Sequence, residues 1–194
     1  EAAMQRLRDA GERPYLVPGG GHCLAGALAY AEAITEVQAQ LDGWIPDWIV
    51  HASGTGATQA GILAGCARAG WDSQVLGVSV ARRNPRGREV VVAMCAELDA
   101  HFGSTATSLR VDFRDGWVGA GYEQADESVL RTIRHAAREE GLLLDPTYTG
   151  KAFTALTDLV ESGEIAPGSR VLFWHTGGLP NLLASDLTRE MLRR

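Results

Sequence analysis

Short apolar runs alternate along the chain with longer stretches in which apolar positions recur every three or four residues. The short runs predict buried strands and the longer stretches predict amphipathic helices. Predicted strands cover residues 15–17, 48–52, 75–80, 142–144 and 171–174. Predicted helices cover residues 1–13, 22–41, 58–70, 88–101, 126–140 and 150–162, with Asp126 as a cap, and segment 104–123 is predicted as loop. This alternation favours an α/β fold with a mostly parallel sheet flanked by helices.

A glycine-rich loop joins one predicted strand to the next predicted helix. Residues 53–61 read Ser-Gly-Thr-Gly-Ala-Thr-Gln-Ala-Gly directly after the apolar run 48–50. Such a junction directs backbone N–H groups and a helix N-terminus at one point, which suits a phosphate. The loop lacks the Gly-Lys-Ser/Thr of a phosphate-binding NTPase loop.

Two further junctions, at residues 145–151 and 175–178, carry threonine and tyrosine hydroxyls. Ligands of open α/β sheets bind outside the carboxyl ends of the strands, and all three segments are predicted there. Together they predict a phosphorylated cofactor that is held by its tail, with its ring among Tyr and Thr side chains.

The glycine loop has two other interpretations. It resembles a dinucleotide-binding fingerprint in which Gln59 replaces the third glycine, and Arg82 and Arg83 after the next strand would suit the 2′-phosphate of NADP. Alternatively, the glycines only permit a tight turn and close packing of helix on strand.

The composition of the chain argues against several classes of function. The net charge of -6 and the pI near 5.4 leave no basic surface for nucleic acid, and no apolar run is long enough for a membrane span. Three widely spaced cysteines and histidines without metal-ligand spacing argue against disulfides and a metal site. These features predict a protein of the reducing cytoplasm.

Five segments, taken in order, carry a resemblance to a known family: Val17-Pro18-Gly19-Gly20-Gly21, the 53–61 loop, Gly121-Tyr122, residues 145–152 and residues 175–180. With them the chain resembles the D-cysteine desulfhydrase and 1-aminocyclopropane-1-carboxylate (ACC) deaminase family from about Tyr15 to Ala184. These enzymes depend on pyridoxal 5′-phosphate (PLP). The resemblance implies the tryptophan-synthase-β fold, which is PLP fold type II.

The resemblance also implies roles for individual residues. The loop that holds the PLP phosphate matches Gly54, Thr55, Gly56, Ala57 and Thr58. Two active-site tyrosines match Tyr122 and Tyr148, and the hydroxyl that faces the pyridine nitrogen matches Thr176, followed by Gly177. Thr149 stands where ACC deaminases carry a glutamate, which favours the desulfhydrase branch. Taken singly, both tyrosines and His175 would also suit ordinary structural positions.

The catalytic lysine of the family has no counterpart in this chain. The family holds PLP as a Schiff base on a lysine of its N-terminal part, whereas the only lysine here, Lys151, matches a different position. Three explanations are open: the chain is the C-terminal part of a longer enzyme, it is a truncated non-catalytic binder, or Lys151 has been recruited. We favour the first. Residues 1–20 would then be the remnant of a small domain and 21–194 an incomplete large domain, in a homodimer as in the family.

The expected activity is β-elimination from a small amino acid such as D-cysteine, to give pyruvate, ammonia and sulfide. A tyrosine would act as the acid–base partner if its environment brought its pKa toward neutrality. L-cysteate sulfo-lyase and ACC deaminase activities are alternatives within the family. A non-catalytic phosphate or PLP binder, and an NADP-binding oxidoreductase fragment, are alternatives outside it.

Overall fold

Four parallel strands form the sheet of the computed structural model, which describes residues 1–103, 107–186, 188 and 189. In chain order the elements are α1 (Ala2–Asp9), α2 (Leu24–Gln40), β1 (Trp48–Ser53), α3 (Ala57–Ala69), β2 (Gln74–Ser79), α4 (Arg86–Phe102), β3 (Asp112–Arg114), α5 (Glu127–Glu140), α6 (Thr149–Glu161), β4 (Val171–Trp174) and α7 (Leu179–Ala184). Short 3₁₀ turns cover Gly19–Gly21 and Thr107–Arg110. The strand order is β3-β2-β1-β4, so β1 lies inside the sheet.

The sheet register brings the ends of β1 and β2 level with each other. Ser53 pairs with Ser79 at their carboxyl ends, and His51 pairs with Trp174 near the end of β4. The loops that follow these strands therefore emerge along one edge of the sheet. This is the edge at which open α/β sheets bind ligands.

Apolar side chains fill both faces of the sheet. On one face, α2, α3 and α4 pack around Ile49, Ile62 and Leu98. On the other, α6 packs against Val50 and Val78, and α5 packs outside it. The predicted α/β fold with a parallel sheet flanked by helices is confirmed.

Two glycines of α3 allow helices α2 and α3 to pack closely. A β-carbon on Gly61 would collide with the Ala27 carbonyl oxygen, and one on Gly65 would lie 2.7 Å from that of Ala31. Because nothing larger than hydrogen fits at either position, the two helices pack with their backbones in close contact. This seam holds α3, which begins at the glycine loop, against the rest of the helical layer.

All six predicted helices are present, with ends shifted by up to a few residues, and Asp126 caps α5 by accepting a hydrogen bond from the Val129 N–H at 3.0 Å. Two predicted strands are wrong. Residues 15–17 form no strand, and Tyr15 is 80% exposed. Residues 142–144 are irregular and pair with no strand. Of the three, only Leu144 is buried, and it packs in the cluster around α5.

The segment predicted as loop, 104–123, contains one short strand. β3 has three residues, pairs with β2 and buries Phe113 where Gly87 has no side chain. Residues 104–106 of that predicted loop lie outside the described residues, as do 187 and 190–194 of the predicted large domain. Within the described ranges no helix has both the length and the apolar character to cross a membrane.

Candidate functional site

The glycine loop connects the end of β1 to the start of α3. Gly56, the residue before the helix, has a φ of 100°, and a β-carbon there would lie 3.2 Å from the Val91 side chain on α4. Only glycine adopts this conformation without strain. The first N–H groups of an α-helix have no acceptor within it, and the helix dipole places partial positive charge beside them. The junction therefore presents backbone donors to an anion.

Gln59 holds this junction on the sheet. Its side chain is fully buried, and its amide donates to the Asp112 carbonyl oxygen of β3 at 2.5 Å. Its carbonyl oxygen accepts from the Ser53 hydroxyl at 3.3 Å. The amide occupies the space that a side chain at Gly77 of β2 would need. One side chain from α3 thus contacts all three strands β1, β2 and β3.

A cavity of about 580 Å³ opens at the carboxyl ends of the strands, in front of the glycine loop. Its lining comes from the end of β1, the start of α3, the loops after β1, β2 and β4, the 3₁₀ turn at Gly19–Gly21 and two tyrosines. The lining residues are Gly20, Ala52, Gly54, Thr55, Thr58, Val80, Ala81, Arg82, Tyr122, Tyr148, Thr176, Gly177 and Gly178. No acidic side chain is among them, whereas several hydroxyls and the Arg82 guanidinium are. Such a lining suits an anionic ligand of drug-like size.

Arg82 borders the glycine loop directly. Its guanidinium donates to the Gly54 carbonyl oxygen. The Ser79 hydroxyl donates to the Arg82 carbonyl oxygen at 2.5 Å, which fixes the turn at the end of β2. A permanent positive charge therefore lies next to the backbone donors of the loop.

Tyr122 and Tyr148 meet on the other side of the cavity. Their phenolic oxygens are hydrogen-bonded, and their ring centroids lie 5.8 Å apart at an angle of 77°. Burial, followed by the hydrogen bond to Tyr122, raises the pKa of Tyr148 above its ordinary value. The condition for acid–base action, a tyrosine pKa near neutrality, is therefore not met at Tyr148. This phenol therefore holds its proton.

Asp145 organises the segment that carries Tyr148. Its buried carboxylate accepts hydrogen bonds from the backbone N–H groups of Thr147, Tyr148 and Thr149, at 2.8 to 3.0 Å. It also accepts from the Thr149 hydroxyl and the Asn181 amide, both at 2.8 Å. The carboxylate thus caps the start of α6 and joins it to α7.

The loop after β4 is fixed by His175. Its Nε2 donates to the Leu143 carbonyl oxygen at 2.8 Å, and its Nδ1 accepts from the Gly177 N–H at 3.2 Å. Gly178 has a φ of 105°, and a β-carbon there would lie 2.5 Å from the Asp145 carboxylate. His175 therefore has both ring nitrogens engaged in structure, and the loop is aligned so that Thr176 lines the cavity.

Seven of the ten predicted site residues line this cavity: Gly54, Thr55, Thr58, Tyr122, Tyr148, Thr176 and Gly177. Gly56 and Ala57 lie behind them and shape the loop. Thr149 does not line the cavity, because its hydroxyl is buried and donates to Asp145. Asp145 is not among the predicted site residues, and Arg82 is predicted only as a partner of the 2′-phosphate of NADP. An acid at the start of a helix was the available signal for Asp145.

Lys151, the only lysine of the chain, is fully buried and is not among the cavity-lining residues. Its ammonium donates to three backbone carbonyl oxygens, those of Val80, Val118 and Gly121. An ammonium has three donors, so none remains for a ligand. This geometry speaks against the explanation in which Lys151 has been recruited as the covalent anchor.

Comparison with known proteins identifies the family. The family model of pyridoxal-phosphate-dependent enzymes matches residues 1–177, which is most of the chain. This chain belongs to the pyridoxal-phosphate-dependent enzyme family. Its membership replaces the alternative of an NADP-binding oxidoreductase fragment.

Two curated relatives of this chain have different names. The chain is 38% identical over 191 residues to a 1-aminocyclopropane-1-carboxylate deaminase of Burkholderia vietnamiensis, covering 95% of this chain and 56% of that protein. It is 36% identical over 180 residues to a D-cysteine desulfhydrase of Yersinia pestis, covering 92% and 54%. The chain thus spans little more than half the length of these relatives.

A solved structure supports the same family. The crystal structure of an ACC deaminase homologue matches with a TM-score of 0.88 and 31% identity, covering 99% of this chain and 57% of that one. The PLP fold type II architecture expected from the resemblance is therefore confirmed.

The residues present fit the phosphate of PLP. The loop offers backbone N–H groups at a helix N-terminus, the Thr55 and Thr58 side chains line the cavity, and Arg82 adds a positive charge. Gly20 stands over Thr55 with no room for a side chain, since a β-carbon would lie 2.7 Å from the Thr55 methyl group. Donors, charge and shape all match a dianionic phosphate.

Proposed function

We propose that this chain forms the phosphate-binding and proton-handling part of a PLP-dependent lyase that acts on a small amino acid. One cavity lined both by the glycine loop and by the Tyr122–Tyr148 pair carries this proposal. The loop would hold the cofactor phosphate, and the tyrosine pair would stand near the reacting part of the substrate. Family membership supports PLP as the cofactor.

Within that class we favour a D-cysteine desulfhydrase type of reaction, with pyruvate, ammonia and sulfide as products. What supports the choice is Thr149, which stands where the resemblance puts a glutamate in ACC deaminases. Its hydroxyl donates to Asp145 and is buried, so the start of α6 carries no second carboxylate toward the cavity. A thiolate departs readily, so such a substrate needs only modest activation.

The cofactor, when bound, withdraws electrons from the substrate α-carbon; the chain supplies binding, orientation and proton transfer. The loop N–H groups and Arg82 would bind the phosphate and so fix the ring, with the Thr176 hydroxyl available to its pyridine nitrogen. Tyr148 holds a proton on its phenolic oxygen and Tyr122 hydrogen-bonds to that oxygen. We expect Tyr148 to donate a proton or hydrogen bond to the substrate, and Tyr122 to orient it.

The amine that anchors PLP covalently in the family would come from outside these 194 residues. The single lysine is buried against three carbonyl oxygens and does not reach the cavity. No other side chain substitutes for an amine in this role. The homodimer implied by the resemblance stays a prediction.

ACC deaminase activity is the second candidate, because curated relatives with that name match the chain at 38% identity. L-cysteate sulfo-lyase activity and non-catalytic PLP binding are the remaining alternatives. The experiment uses a purified protein in which this chain is joined to the part that carries the anchoring amine, with PLP added. It compares sulfide release from D-cysteine, sulfite release from L-cysteate and ammonia release from ACC. PLP binding is followed in parallel by visible absorbance.

Sulfide release from D-cysteine that is lost in Tyr148→Phe, while PLP binding persists, would support the proposal. Ammonia release from ACC without sulfide release from D-cysteine would replace it with the deaminase activity. PLP binding that is abolished by Thr58→Asp, without turnover of any substrate, would support a binding module. Absence of PLP binding would overturn the cofactor assignment itself.

A further inference from the structure

The ammonium of Lys151 is held by the backbone alone. It donates to the carbonyl oxygens of Gly121 at 2.7 Å, Val118 at 2.8 Å and Val80 at 3.3 Å, and the side chain is 0% exposed. A buried charge is costly unless its hydrogen bonds are satisfied. Here every donor has an acceptor. Burial lowers the pKa of Lys151, and the nearby carboxylates of Asp126 and Asp145 partly offset that effect.

The three carbonyl groups come from two segments that border the cavity. Val80 follows β2 and lines the cavity itself. Val118 and Gly121 belong to the irregular segment between β3 and α5, and Gly121 directly precedes Tyr122. Lys151 therefore ties the tyrosine-bearing segment to the end of the sheet.

The Trp117 indole, which donates to Asp158 at 2.7 Å, and the buried Val118 side chain attach the start of that segment, whereas residues 119–124 have few other attachments. Residues 119, 120 and 122–124 are exposed, and Arg83 donates to the Gly119 carbonyl oxygen at 3.0 Å from an exposed position. Exposed contacts of this kind hold a loop weakly, whereas the two hydrogen bonds from the buried ammonium to Val118 and Gly121 hold it strongly. The position of Tyr122 therefore depends chiefly on Lys151.

Tyr148 belongs to the same helix end as Lys151. Tyr148 is the residue before α6, and Lys151 lies in its first turn. One helix end thus supplies one tyrosine of the pair and the ammonium that places the other.

We infer that Lys151 is a positioning residue that holds Tyr122 in hydrogen-bonding contact with Tyr148. The inference rests on the proposed function, in which that tyrosine pair faces the substrate. Lys151 touches neither cofactor nor substrate and acts only through the loop. Removing its charge should release Tyr122 without disturbing the glycine loop, which none of its hydrogen bonds contacts.

The test uses the four tyrosines of the chain as reporters. The protein is labelled with 3-fluorotyrosine, and the ¹⁹F signals of Tyr15, Tyr30, Tyr122 and Tyr148 are assigned by single Tyr→Phe variants. In Lys151→Met we expect the signals of Tyr122 and Tyr148 to shift and broaden while those of Tyr15 and Tyr30 stay unchanged. PLP affinity should stay within about threefold. In the protein that also contains the amine-bearing part, kcat should fall on the order of 100-fold, because a small misplacement of a reacting group has such an effect.

Chemical rescue separates positioning from general stabilisation. Lys151→Ala leaves a carbonyl-lined space, so added ethylammonium should restore the Tyr122 and Tyr148 signals and part of kcat. Tetramethylammonium, which cannot donate hydrogen bonds, is the matched control. An unchanged ¹⁹F spectrum in Lys151→Met, equal changes at all four tyrosines, or equal rescue by both cations would overturn the inference.

A measurement on the unsubstituted chain covers the case in which the variants do not fold. With ¹⁵N-lysine the chain gives one side-chain resonance, and we expect an ammonium whose protons exchange slowly with water. An ammonium signal lost to fast exchange would overturn the inference. The expected ¹⁹F changes in a protein that shows no turnover even with the amine-bearing part present would support the positioning and overturn only the proposed function.

Discussion

The phenolic oxygens of Tyr122 and Tyr148 are hydrogen-bonded to each other at the rim of the cavity, although 26 positions separate them in the chain. The partner hydroxyl and burial both favour the neutral phenol at Tyr148, and burial is the larger cause. The pair therefore keeps a proton at the place where a substrate would bind. It resembles a proton donor with its own orienting partner.

Replacing Tyr148 by phenylalanine should lower turnover without loss of PLP. The phenol would be gone, and general acid catalysis by one side chain is worth about 10² to 10⁴ in rate. The glycine loop lies on the other side of the cavity, so the dissociation constant for PLP should change by less than about threefold. Steady-state kinetics and visible absorbance titrations measure the two quantities. Tyr15→Phe, at an exposed position outside the cavity, is the matched control.

Removing the Tyr122 hydroxyl should lower the pKa of Tyr148 while leaving it above its ordinary value. The hydrogen bond to Tyr122 is only the second cause of the elevation, and burial remains. The measurement is a titration of ¹³Cζ-labelled tyrosine by NMR in the unsubstituted chain and in Tyr122→Phe. A Tyr148 resonance that titrates near neutral pH in the unsubstituted chain would contradict the donor role.

Gly54 and Gly56 of the glycine loop should respond differently to alanine. Gly56 has a φ of 100° and Val91 stands 3.2 Å from the position of its missing β-carbon, so Gly56→Ala should lower the free energy of unfolding by about 1 to 3 kcal/mol. At Gly54 a β-carbon would make only an ordinary contact of 3.8 Å with Val80. Gly54→Ala should therefore unfold at nearly the same urea concentration as the original chain. Equal destabilisation by both changes would refute the conformational argument.

Stability should fall in mild acid because of His51. Burial lowers its pKa from 6.5 to about 4. The contribution of neutral His51 to the free energy of unfolding is therefore complete above pH 6.5 and is lost as the pH falls toward 4. Between about pH 7 and about pH 5, this group alone should remove about 2 kcal/mol from the free energy of unfolding. Urea unfolding of His51→Gln should show a smaller loss over that interval. His135→Asn, at an exposed position, should keep the original pH dependence.

Asp145→Asn should destabilise the start of α6. The carboxylate accepts five hydrogen bonds. In asparagine, the amide NH₂ group would face some of the N–H and O–H groups that now donate to the carboxylate. We expect a loss of about 2 to 3 kcal/mol, measured by urea unfolding. Asp126→Asn is the control, because that cap is exposed and asparagine caps helices as well as aspartate, so its effect should stay within about 0.5 kcal/mol. Similar effects of the two changes would contradict the central role of Asp145.

Much of the architecture could be predicted because periodicity reports burial directly. The strands over 48–53 and 74–79 are buried along nearly their whole length, which is the pattern of a covered parallel strand. Strand β3 escaped prediction because it is three residues long and charged at both ends. It forms because β2 offers a free edge and Gly87 leaves room for Phe113.

The two wrongly predicted strands show what apolar character along the chain cannot predict. Residues 15–17 and 142–144 are apolar, but apolar character alone does not supply a neighbouring strand to pair with. Among the site residues, the glycine loop could be predicted from its motif, and Tyr122 and Tyr148 from the family resemblance. The pKa shift of Tyr148 and the enclosure of Lys151 depend on which segments meet in space, and no pattern along the chain contains that information.

Gln59 has a further consequence for ligand binding. Because its amide reaches three strands at once, α3 cannot slide or rotate without breaking contacts to each of them. The donors at its N-terminus are thus already oriented before any anion arrives. Little conformational entropy remains to be lost on binding, so a phosphate is met by a rigid receptor instead of a loop that must first become ordered.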